Sequence, residues 1–160
     1  MKSQLSITGN VKLYSGDFTF DEFEKFTNIE KEKYLIDRGD NLAVDAGLQQ
    51  LLLLAIGSNT NSFTLCGVGS GTGTPVNTDT ALGTSIGTNT INSKYIVGNT
   101  AYFNTFFGKN DEAGSWNETG LFTTGLVMLC RRKFAATFTK DTSNAAVISW
   151  SMSLTATADV

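Results

Sequence analysis

The sequence predicts a mainly β protein: a β-sandwich, of jelly-roll or immunoglobulin-like type, with one buried α-helix inserted near residues 42–56. Three observations carry that assignment. Sixteen Gly, one Pro and only 17% charged residues in a chain of 160 describe short strands joined by turns. Apolar and polar residues alternate in seven or eight separate segments. Only one stretch combines helical spacing with good start and stop signals. The length suits a single domain, 1–160, large enough to hold together without a metal or a disulfide. Nothing repeats at a fixed period, which sets aside solenoids and propellers.

Residues 5–14 alternate as a first strand, with Leu5, Val11 and Leu13 apolar and Gly9-Asn10 as a kink or turn. DFTFDEFEKF follows, its Phe18, Phe20, Phe23 and Phe26 interleaved with Asp17, Asp21, Glu22 and Glu24. The spacing starts at two and lengthens to three, so neither strand nor helix fits all of it. Two readings stand for residues 15–30: a loop or strand whose phenylalanines cover an edge of the core, or an arm that docks on a neighbouring subunit. Tyr34-Leu35-Ile36 is a short strand leading into the helix. There Val44, Leu48, Leu51, Leu52 and Ala55 fall on one face, and Leu53, Leu54 and Ile56 widen the apolar surface. Asp40 or Asn41 is expected to cap its first turn, and Gly57 to end it in a left-handed conformation.

A strand SFTLC then runs into the glycine loop 67–73. Ile86, Ile91, Tyr95, Ile96 and Val97 read as one strand after a turn. TAYFNTFFGK carries aromatics on both faces, Tyr102 and Phe106 opposite Phe103 and Phe107, and belongs in the middle of a sheet. KNDEAGSWNETG is the chief polar loop, delivering Glu118 just before a strand at Leu121-Phe122. Gly125 turns the chain into LVMLC, followed by an alternating set Arg132, Phe134, Ala136 and Phe138. In the last strand Ala146, Ile148, Trp150, Met152 and Leu154 face the core, and Val147, Ser149, Ser151, Ser153 and Thr155 face water.

Composition narrows the chemistry. His is absent, which removes the usual general base, Ser-His-Asp and Cys-His arrangements and the common zinc sites. With net charge −3, pI near 4.8 and Arg131, Arg132 and Lys133 as the only adjacent basic residues, no footprint for nucleic acid is expected. No apolar run reaches the roughly 20 residues of a membrane span. The glycine loop lacks the Lys-Ser/Thr of a P-loop, and Thr74-Pro75 follows where a dinucleotide fold starts a helix, so its glycines are read as permitting tight turns or close backbone approach. Glu118, with Asp111 and Glu112, is the one acid/base candidate; the competing reading is that its carboxylate accepts backbone amides or pairs with Arg131 or Arg132. Asp37, Asp40 and Asp45 lack the ligand spacing of a calcium loop. Cys66 and Cys130 lie in apolar strands, where two buried thiols are expected. With MKSQLSITGN not reading as a signal peptide, a soluble protein made in a reducing cytoplasm is expected.

Three stretches in order, NLAVDAGLQQLLLLAIG, VGSGTGTPVNTDTALG, and ETGLF with CRRKF and the closing VISWSMSL, resemble a widespread group of small tailed-bacteriophage structural proteins. The likeness spans about residues 40–156; the acidic phenylalanine segment and residues 86–94 depart from it. It implies a non-enzymatic virion protein with a β-sandwich core, made in the host bacterium, on the tail and fibre apparatus or on the capsid as a decoration protein. Its partners would be itself and other virion proteins, with no cofactor. Interface candidates are Phe18, Phe20, Phe23, Phe26 and Trp116, while Glu118, Arg131, Gly57 and Asp40 are assigned structural roles. The alternative is a carbohydrate- or receptor-binding module of a fibre, using Trp116, Tyr102 and the loop at 110–119.

Overall fold

A computed structural model describes residues 3–158; the outermost two residues at each end of the expected 1–160 domain lie outside the described residues. In chain order the elements are β1 (Ser3–Gly16), α1 (Phe20–Lys25), α2 (Asn28–Glu32), β2 (Leu35–Asp40), β3 (Leu42–Ala43), α3 (Asp45–Ala55), β4 (Phe63–Gly69), β5 (Ser85–Thr90), β6 (Ser93–Val97), β7 (Thr100–Phe107), β8 (Gly114–Thr123), β9 (Met128–Lys140) and β10 (Ala145–Ala158). They form two antiparallel five-stranded sheets packed together as a β-sandwich: sheet A in the order β2-β1-β10-β7-β6 and sheet B in the order β3-β9-β8-β4-β5.

The period-two pattern places the core. Val11 pairs with Trp150, Leu13 with Ile148, and Trp150 with Phe103, so these side chains share the inner face of sheet A. They meet Cys66, Val68, Leu121, Leu129, Cys130 and Phe134 of sheet B. Each such fully buried side chain contributes ~1.5–3 kcal/mol over leaving it in water. Side chains also join the sheets along both open sides. On one, Arg132 of β9 pairs with Asp37 of β2, whose second oxygen accepts from the Ala135 amide at 2.7 Å. On the other, Asn89 of β5 donates to the Phe106 carbonyl of β7 at 3.1 Å.

Several elements differ from the sequence reading. Gly9-Asn10 makes no turn: β1 runs through it, and the missing side chain leaves room for Asn41. The single strand expected across residues 86–97 is two strands on opposite sheets. The chain crosses over at Ile91-Asn92, where Ile91 is buried and Asn92 Oδ1 accepts from the Phe106 amide at 2.7 Å. The polar loop ends early, because β8 begins at Gly114 and carries Trp116 and Glu118 as strand residues. β7 is interior to sheet A, as its two aromatic faces require.

The helix is shorter and wetter than expected. Asp40 ends β2, and α3 starts at Asp45 behind Val44, which offers no side-chain cap; the Asp45 amide is satisfied by the Asn77 carbonyl at 2.8 Å. Its close approach to β9 comes from Gly47, where a Cβ would run into the Leu129 backbone. Leu51 and Leu54 pack on the core, while Leu52 and Ile56 are exposed. The end of the helix follows expectation. Gly57 has φ +72°, its amide donates to Leu54 O at 3.2 Å, and the Ser58 amide donates to Leu53 O at 3.0 Å, which is a Schellman stop.

Residues 18–33 form a lid of two short helices. Thr19 and Glu22 make one capping box, Thr27 and Glu30 a second, each closing its own first turn. Phe18 and Phe23 are buried with Tyr14, Ala145 and Val147 against the outer face of sheet A, with Phe20, Phe26, Tyr34 and Phe106 around them. Val147, expected to face water, is therefore covered. The phenylalanines cover the chain's own sheet, and the arm reading loses its anchors.

Candidate functional site

Glu118 is wholly buried, and its surroundings show why the glycine loop exists. One oxygen accepts from the amides of Gly71 at 2.9 Å and Thr84 at 3.0 Å; the other accepts from Gly83 at 3.1 Å and from Arg131 Nε at 2.8 Å. A Cβ on Gly69 or Gly71 would collide with this carboxylate. The loop cradles an anion, as glycine loops can, but the anion is the chain's own. Arg131 Nη1 continues to Asp79 at 2.7 Å, and its Nη2 donates to the Gly73 carbonyl at 3.2 Å. Burial works against the Arg131 charge, yet Asp79 and Glu118 together outweigh it and raise its pKa. Burial likewise would raise Asp79, but the Val76 amide and Arg131 hold it below the ordinary aspartate range. Both oxygens of Glu118 are engaged by two donors each and neither reaches solvent, so the carboxylate fits a structural clamp.

The other acid/base candidates sit elsewhere. Asp111 accepts from the Gly108 amide at 2.7 Å and from Asn89 at 3.2 Å. Glu112 lies against the backbone of Gly87, with its pKa raised by burial and by Asp111. Asp37 serves Arg132, and the Asp40 carbonyl accepts from Arg132 at 3.1 Å, so neither gathers with Asp45 around a cation. Among the described residues no group of three metal-ligating side chains occurs, and no helix is long and apolar enough to cross a membrane. Cys66 and Cys130 are free and buried in one row with Leu121 between them. Burial pushes both thiols up, which takes them out of the nucleophilic range.

Trp116 does not offer a contact surface. It is fully buried between Phe107 and Phe138, and its indole N–H donates to the Glu112 carbonyl at 2.7 Å. Tyr102 lies on the outer face of sheet A and Trp116 inside β8 of sheet B, so the two do not form one contact surface with the exposed residues of the 110–119 loop.

The feature that sequence reasoning missed is the far end of sheet A. The inner-face pattern of β1 and β10 continues past the core, as Ile7 opposite Leu154 and Leu5 opposite Ala156, and β6 adds Ile96 opposite Ala101. Ile7 and Ala101 still pack on the core, but among the described residues no strand of sheet B covers the others, which point the way core residues do: Leu5 is 66%, Ile96 74% and Leu154 40% exposed. They line an apolar hollow of about 410 Å³ with Met152 at its inner end. The signal was present in the length of the alternation, since β1 and β10 run for 14 residues each while β4 has seven. Comparison with protein-family models, with curated proteins and with solved structures finds no match.

Proposed function

We propose that this chain is a non-enzymatic structural subunit that assembles with copies of itself and with other proteins through the uncovered apolar end of sheet A. The single observation that supports this reading is a core-patterned sheet face left without its covering sheet, which in water favours a protein partner. The engaged state of Glu118, the buried thiols and the lack of His agree with a role that needs no catalysis. The motif resemblance carries the setting, a tailed-bacteriophage virion, with tail and fibre or capsid surface as its two locations. Relative to the sequence reading, the interface moves from Phe18, Phe20, Phe23, Phe26 and Trp116, which are occupied within the chain, to Leu5, Ile96 and Leu154.

Sedimentation of the purified protein tests the interface. The wild type is expected to sediment as an oligomer, and Ile96→Asp with Leu154→Asp as a monomer that keeps the wild-type near-UV circular dichroism and a cooperative unfolding transition. A wild type that stays monomeric at high micromolar concentration, or variants that still assemble, would overturn the reading. The virion setting is tested separately by gold-tagged antibody on phage particles from the source, where unlabelled particles refute it.

A further inference from the structure

The outer face of sheet A carries a second feature, which does not depend on assembly. Between the lid and β6 runs a trough of about 160 Å³. One wall is a cross-strand stack, Tyr95 on Tyr102, with ring centres 4.9 Å apart and planes within 14°. Asn10, Asn104, Ser149 and Ser151 line it from β1, β7 and β10, and Lys12 and Lys31 stand toward the lid. Asn104 is held in place by donating to Glu24 of α1 at 3.3 Å and to Ser93 at 3.2 Å. The Lys31 ammonium sits 4.7 Å from the centre of the Phe23 ring, and Lys12 lies 3.8 Å from Glu32.

We propose that this trough binds a neutral saccharide. A pyranose has an apolar face of axial C–H groups and a rim of hydroxyls, and the trough offers an aromatic surface beside closely spaced amide and hydroxyl groups. Its charge decides between ligand classes. Lys12 faces Glu32, which Arg38 also holds, and Lys31 sits over the Phe23 ring, so neither ammonium stands free for a phosphate or a polyanion, whereas a sugar's uncharged hydroxyls exchange water for the trough's amide and hydroxyl groups. The tyrosines add to this by staying protonated: burial and the Glu32 carboxylate push Tyr14 up to about 12, and burial together with Glu24 raises Tyr95. The trough lies on the face of the sheet opposite the apolar overhang, so an oligomer built through the overhang leaves every copy's trough open. Several weak sites would then act on one polysaccharide at high effective concentration.

A glycan array probed with the fluorescently labelled full chain tests the proposal, followed by titration of the best neutral oligosaccharide into the isotope-labelled protein by NMR. Binding of neutral glycans is expected, with amide shifts at Asn10, Asn104, Ser149 and Ser151. Tyr95→Ala, on an edge strand, is expected to weaken binding at least tenfold while leaving the unfolding midpoint unchanged. Ser149→Gln narrows the trough without touching the tyrosines and is expected to do the same. Silence toward neutral glycans, a preference for acidic glycans or nucleotides, shifts that map elsewhere, or affinity that survives both variants would overturn it.

Discussion

Replacing Glu118 by Ala removes the acceptor from three backbone amides and from Arg131 at once. The side chain of Arg131 is 5% exposed, so its charge is left with Asp79 alone. Breaking a buried pair by deleting one partner costs ~3–5 kcal/mol. The amides of Gly83 and Thr84 lie at the partly exposed edge of the loop, where water can replace the lost acceptor, so the expected cost is about 4 kcal/mol rather than the sum of every orphaned donor. For a domain of this length that lowers Tm by roughly 8–16 °C. Chemical denaturation with an unchanged m value is the assay. Glu118→Gln keeps one oxygen for the loop amides but turns an NH₂ group toward Arg131, and about half the loss is expected. Combined with Arg131→Met, the double variant should cost less than the two singles added together. A Glu118→Ala loss below about 1 kcal/mol, or strict additivity with Arg131→Met, would refute the buried-clamp account.

Two further outcomes are expected. Gly47→Ala improves intrinsic helix propensity by up to ~1 kcal/mol, yet the Cβ meets the Leu129 backbone, so the net effect is destabilising and α3 shifts from β9; a rise in Tm would show that the contact yields freely. Glu22 and Glu30 are held below the ordinary glutamate range by the Thr19 and Thr27 amides first, and by the threonine hydroxyls second. Their contribution is present above the unfolded glutamate value near 4.3 and is lost as pH falls through the lower folded one, so hydrogen-exchange protection in α1 and α2 should drop on acidification before protection in β10; simultaneous loss would contradict it.

What could be read from the sequence was what local chemistry controls. Gly57 stops α3 because only a glycine takes φ +72° there without strain, and the alternation of β10 alone identified its core face. The start of α3 was misread because the capping signal at Asp40 belongs to a strand, and the helix is instead seated by Gly47 on a β-strand more than 80 residues away in sequence. The lid helices were legible in principle: TFDE and TNIE are capping boxes, hidden by a phenylalanine spacing that matched neither period. Arg131 was named as one partner for Glu118, but Gly71, Gly83, Thr84 and Asp79 reach the cluster through loop closure that no local pattern encodes. Trp116 resembled a contact residue because its neighbours are polar; in β8 those neighbours point the other way.

The placement of β10 between β1 and β7 has a kinetic consequence. β1 with β2, and β6 with β7, can each form from nearby sequence, but they become one sheet only when the 14 residues of β10 slot between them, matching Val11 to Trp150 on one side and Phe103 to Trp150 on the other. Such long-range pairing makes folding slow. Until it happens, two strand edges stand open, each a template for pairing with another chain. Of the strands of this sheet β10 is made after the others and seals both edges, so those edges stay unpaired until it emerges from the ribosome and are lost in a single closing step.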